Sequence, residues 1–185
     1  TVSTELEDQV EQVEVTATLQ SGAVLNGVTT VGGAYQIATS VLGEQVTVTP
    51  KKNTEYDNGV STLDLVKIQK HILGKSLLES EMREVAADVN NDGKVGALDL
   101  LEIRKIILGK TDKFENVGSW KFFSKLENKE SYVIESLAGV MQIDWTGVKM
   151  GDVDYSNDPA RSAGRSGKSL VFNVDNVELI AGNQY

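Results

Sequence analysis

The chain has 185 residues, 18 of them Lys or Arg and 27 Asp or Glu, for a formal net charge of −9; 40% of it is hydrophobic. A chain of this length holds one or two domains and can bury a core without covalent staples. Its acidity repels phosphate backbones, so nucleic acid is not an expected partner; it suits hard cations, whose ligands are carboxylates, or simply a solvated acidic surface. The absence of cysteine excludes disulfides, zinc–thiolate sites and thiol nucleophiles. No run reaches the ~20 apolar residues of a membrane span, so no membrane insertion is expected. No signal peptide opens the chain and Thr1 is not an initiator methionine, which leads us to expect a mature or excised piece of a longer product.

Residues 1–12 are polar and acidic and read as a linker or the lead-in to a strand. From Val13 onward, VEVTATL, AVLNGV, AYQIATSV and EQVTVTP are short, β-branched and roughly alternating, with turn signals at Ser21-Gly22, Gly32-Gly33 and Gly43. They predict a small antiparallel β unit of about four strands, ending at Pro50. From Val60 the period becomes helical: LDLVKIQKHILGK spaces its apolar residues by three and four and stops at Gly74. LDLLEIRKIILGK, at 98–110, repeats the design and stops at Gly109, and 77–87 between them is a helix or an ordered connector. After Lys113, SWKFF, SYVIESL and VMQIDWTGVKMGDV have strand character. Residues 154–169 read as an exposed linker, and a last strand-like piece, 169–181, must pair with an earlier strand or with a neighbouring molecule.

The strongest signal is an internal repeat. A shift of 35 residues lays Asn53–Lys75 on Asp88–Lys110 without a gap, with identities from Asp57/Asp92 and Asp64/Asp99 through to Gly74/Gly109 and Lys75/Lys110. Duplication at this spacing is one supersecondary unit used twice. In the second copy, Asp88, Asn90, Asp92 and Asp99 place oxygen side chains at positions 1, 3, 5 and 12 of a twelve-residue loop. Gly93 takes the sharp turn at position 6, and the Lys94 carbonyl follows at position 7. Calcium needs six to eight oxygens about one point, and alternate loop residues can aim them inward. The blander alternative is an Asx/Gly turn ahead of a helix. The first copy offers Asn53, Glu55, Asp57, the Gly59 carbonyl and Asp64, with Ser61 acting through water. It is less regular, because Asn58 replaces the turn glycine, and its alternative is a degenerate loop held by hydrogen bonds.

These residues resemble the dockerin family, whose modules are EF-hand-like loop–helix pairs without the entering helix. ADVNNDGKVGALDLLEIRKIILG follows the family pattern, and NGVSTLDLVKIQKHILG is similar to the form found in large secreted surface proteins of the Bacteroidetes group. Residues 13–50 are similar to the small carboxypeptidase-regulatory or collagen-adhesin sandwiches that precede the module there, and DWTGVKMGDVD to the stretch that follows it. The resemblance implies two calcium (Ca2+) sites, a protein partner and an extracellular place of action. At the loop positions where cellulosomal dockerins carry Ser-Thr, this chain has Thr62-Leu63 and Ala97-Leu98, so the cohesin partner transfers less well than the metal.

Enzyme constellations fail. His71, the only histidine, lies mid-helix and reads as a partly buried helix residue. Trp120, Phe122, Phe123 and Trp145 read as core ahead of a sugar site. Asp152 and Asp154 could extend a metal site, but a strand end is the preferred reading. The expectation is therefore an α+β, non-enzymatic, calcium-binding extracellular protein: a β-sandwich-like unit at 1–50, a dockerin-like module at 51–113 and a C-terminal strand region at 114–185 that completes or extends the sheet. It would dock a protein partner. The alternative is a filament or adhesin subunit, a homopolymer formed when 169–181 adds to a neighbour's sheet.

Overall fold

The computed structural model describes residues 1–160; the strand expected at 169–181 and the later part of the expected linker 154–169 lie outside them. In chain order the elements are β1 (Val2–Thr4), β2 (Glu14–Leu19), β3 (Val24–Val28), β4 (Val46–Lys51), α1 (Thr62–Ile72), α2 (Glu81–Ala87), α3 (Ala97–Ile107), β5 (Trp120–Ser124), β6 (Tyr132–Ile134) and β7 (Trp145–Lys149). Strands and helices coexist, and the class is α+β.

The strands form two sheets. One is antiparallel, in the order β3-β2-β4-β6; the other has the order β1-β7-β5, with β1 parallel to β7 and β5 antiparallel to it. Alternation along β2 and β4 points Val15, Ala17, Leu19, Val46 and Val48 to one face, where they meet Trp120 and Phe122 of β5 and Trp145 of β7 in a common core. The C-terminal strands thus complete the sandwich. The indole of Trp145 is fully buried and donates to Tyr35 Oη at 3.0 Å, which in turn donates to the Ile143 carbonyl at 2.9 Å, so the buried N–H is satisfied.

One expected strand is absent. AYQIATSV, at 34–41, forms no ladder and has no regular secondary structure, with Tyr35 and Ile37 packed on the sandwich core. The edge of β4 is taken instead by β6, through Val46↔Ile134 to Val48↔Tyr132. The lead-in, for its part, contains a strand: Val2 pairs with Trp145 and is itself fully buried.

The helices make a second core between β4 and β5 in sequence. Ile68 of α1, Ala86 and Ala87 of α2 and Ile103 and Ile106 of α3 pack with Val89, Phe114 and Val117. The same cluster takes in Val148, Met150 and Val153. β7 therefore serves both cores, with Trp145 on the sandwich side and Val148 on the helix side. Helices α1 and α3 both end on a left-handed glycine, Gly74 (φ 63°) and Gly109 (φ 61°). The six-to-one bonds Lys75 N to Lys70 O (2.9 Å) and Lys110 N to Lys105 O (2.8 Å) close each end as a Schellman motif.

Candidate metal centre

The second loop is built between two helix ends. Asp88 caps the C-terminus of α2 and Asp99 lies in the first turn of α3. Asp88 accepts the N–H groups of Asp92 (3.1 Å, at Oδ1) and Gly93 (2.9 Å, at Oδ2). Asn90 Oδ1 accepts from Asp92 N at 2.9 Å, and Asp92 Oδ1 from Lys94 N at 2.9 Å. Asn91 (φ 60°) and Gly93 (φ 82°) adopt the left-handed conformation that lets the chain wind so tightly. Asp99 reaches back, taking Asn90 N at 3.0 Å on Oδ1 and Gly96 N at 2.8 Å on Oδ2. It is fully buried, and that desolvation raises its carboxyl pKa against the two N–H bonds that lower it. The loop thus gathers Asp88, Asn90, Asp92 and Asp99 around one turn. The donors are all oxygens, with no imidazole or thiolate among them, which is the chemistry of a hard-cation site.

The first loop is arranged otherwise. Asn53 lies against Gly118 and is exposed. Glu55, with φ 56°, buries both carboxylate oxygens. Asn58 bonds the backbone of Asp158 in both directions, Nδ2 to O at 2.8 Å and N to Oδ1 at 3.1 Å. Asp64, fully buried, accepts Ser61 N (2.8 Å) and Ser61 Oγ (3.0 Å) on Oδ2. Its Oδ1 accepts Val153 N (2.9 Å) and Asp154 N (3.2 Å), the latter 90 residues along the chain.

Among the described residues, one group of three carboxylates converges with ligand atoms all within 4.8 Å of one another: Asp64, Asp152 and Asp154. Asp88, Asp92 and Asp99 are not drawn together to that degree, and neither are Glu55, Asp57 and Asp64. Asp152 and Asp154 lie beyond the end of β7, and with Asp64 they form a group that could hold a metal ion. Asp152 is 1% exposed, and burial raises its carboxyl pKa. A sequence signal for it existed, an Asp-x-Asp followed by Ser-Asn and Asp, but its distance from the repeat hid the connection.

A lysine balances part of this negative charge. Lys149 is 3% exposed, and its Nζ donates to the Tyr56 carbonyl at 3.1 Å and the Met150 carbonyl at 3.2 Å. Burial pulls its pKa down to about 7, opposed by the charges of Asp152, Asp57, Glu55 and Asp64. His71 has no place here: its Nδ1 accepts the Leu78 N–H at 3.1 Å and fastens the connector to α1. No helix of the described residues is long and apolar enough to cross a membrane.

The family model of the dockerin type I domain matches residues 55–108. No curated protein and no solved structure matches the chain. Dockerin domains are non-catalytic modules that bind calcium and dock a protein partner, and the oxygen-only loops found here fit that ion. Residues 55–108 are accordingly similar to a dockerin domain.

Proposed function

We propose that the chain is an extracellular, non-enzymatic docking protein. In this reading Ca2+ bound at its two loops sets helices α1 and α3 rigidly against each other as a protein-binding surface. The second site would use Asp88, Asn90, Asp92, the Lys94 carbonyl and Asp99; at the first, Asp64 and the Gly59 carbonyl are the donors the repeat assigns with most support. Residues 51–113 act as the docking unit and the flanking segments support it. Extracellular modules of this kind bind calcium at ~10⁻⁴–10⁻³ M, concentrations found outside cells.

The observation that carries the docking reading is a set of matched apolar residues left in solvent. Leu63 and Leu98 are 51% and 62% exposed, Val66 and Leu101 45% and 47%, and Leu73 and Leu108 59% and 63%. Each pair is related by the 35-residue repeat, so the same surface is presented twice. Scattered apolar exposure is ordinary; exposure repeated at equivalent positions of a duplicated unit is not explained by chance. With a panel of cohesin domains as probes, the full chain should bind at least one in calcium and release it in chelator. Replacing Leu63→Asp and Leu98→Asp together should lower affinity at least tenfold. A complex indifferent to both chelator and the double substitution would contradict this function.

A further inference from the structure

We infer that the first calcium site is split across the chain: Asp152, Asp154 and Ser156 supply its first half, Gly59 and Asp64 its second, and the bound Ca2+ fastens α1 to the loop that follows β7. This deepens the calcium reading above and rests on it.

The second loop provides the template. Its residues 88–93 correspond to 152–157, Asp-Val-Asn-Asn-Asp-Gly against Asp-Val-Asp-Tyr-Ser-Asn, and 94–99 correspond to 59–64, Lys-Val-Gly-Ala-Leu-Asp against Gly-Val-Ser-Thr-Leu-Asp. Five hydrogen bonds of the second loop recur in this register. Asp88 accepts from the N–H groups of residues 92 and 93; Asp152 accepts from Ser156 N (3.3 Å) and Asn157 N (2.9 Å). Asn90 accepts from Asp92 N; Asp154 accepts from Ser156 N at 3.1 Å. Asp99 accepts from Asn90 N and Gly96 N; Asp64 accepts from Asp154 N and Ser61 N. Position 4 is left-handed in both, Asn91 at φ 60° and Tyr155 at φ 61°. Val89 and Val153, at position 2 of each, are buried in the same core.

Three further observations point to the ion. The carboxylates of Asp64, Asp152 and Asp154 converge within 4.8 Å, the first two of them buried, and Lys149 offsets only part of their mutual repulsion. Asn157 Oδ1 is buried and has no hydrogen-bond partner. The two halves meet at Gly59, where a Cβ would come within 2.6 Å of Asn157 N and of Asp152 Oδ2. Ser156 Oγ bonds the Gly59 carbonyl at 2.9 Å across that join, bringing the position 5 hydroxyl onto the position 7 carbonyl. The contiguous residues Asn53, Glu55 and Asp57 are not needed as ligands.

The test is calorimetric titration of the full, chelator-stripped chain with Ca2+ alone. The wild type should bind two ions. Asp152→Asn with Asp154→Asn should bind one, whereas Asn53→Ala with Glu55→Gln and Asp57→Asn should still bind two. If the 152/154 variant holds as many ions as the wild type, the split site is wrong while the calcium reading stands. A wild type that binds none overturns both. Nuclear magnetic resonance of the wild type guards against a variant that fails to fold. The amides of 152–157 should shift with those of 59–64 as calcium is added, and unmoved 152–157 amides would overturn the inference.

Discussion

Gly59 and Gly93 show how much of this architecture rests on single residues. Both are left-handed, at φ 77° and 82°. A Cβ at Gly93 would meet open space, whereas one at Gly59 would strike the 152–157 backbone. Gly93→Ala should therefore cost only the ~1–2 kcal/mol of an L-residue in that conformation. Gly59→Ala should cost clearly more, measured by denaturant unfolding in calcium; equal losses would mean that the two segments do not meet there. The ligand candidates of the second loop were legible because its donors lie within twelve consecutive residues. Asp152 and Asp154 could be named as able to extend a metal site, but their connection to Asp64 was not legible, because hydrogen bonds that join residues 90 apart leave no local period to read.

Elements were read best where the pattern was long. The helices α1 and α3 carry their apolar spacing, their glycine stops and their duplication within the sequence itself. The short strands were harder. β1 has three residues and pairs in parallel with β7, far along the chain, and AYQIATSV satisfies the alternation of a strand while lying outside both ladders. Propensity describes a pleated, half-buried surface, and several segments can meet that description while only some find an edge. The repeat also predicts matched energetics. Ile68 and Ile103 are equivalent and both fully buried between the helices. Ile68→Ala and Ile103→Ala should each lower stability by ~2–5 kcal/mol and by similar amounts. A large disparity in their unfolding curves would mean that the two helices do not share one core symmetrically.

At the scale of the whole molecule, β7 decides how the parts behave together. Its residues enter both the sandwich core and the helix core, and the segment after it is sewn to the first loop by Asn58, Ser156 and Asp64. Lys52 adds a bond from the end of β4 to Glu11 O at 2.8 Å. Linkage of this kind couples unfolding of one part to the other. Differential scanning calorimetry in calcium should show one transition for the described body. Two well-separated transitions would show that the module melts independently of the sandwich.

The most direct test of the account is the melting temperature of the chelator-stripped chain with and without saturating Ca2+. Each ion that binds only the folded state adds about 2.7 kcal/mol at one hundred times its Kd. Each kcal/mol moves the midpoint of a domain this size by ~2–4 °C. Two ions should therefore raise the melting temperature by roughly 10 °C or more. An unchanged melt in ~10–100 mM calcium, one hundred times the ~10⁻⁴–10⁻³ M Kd of such sites, would contradict the claim that the ion holds these helices in place.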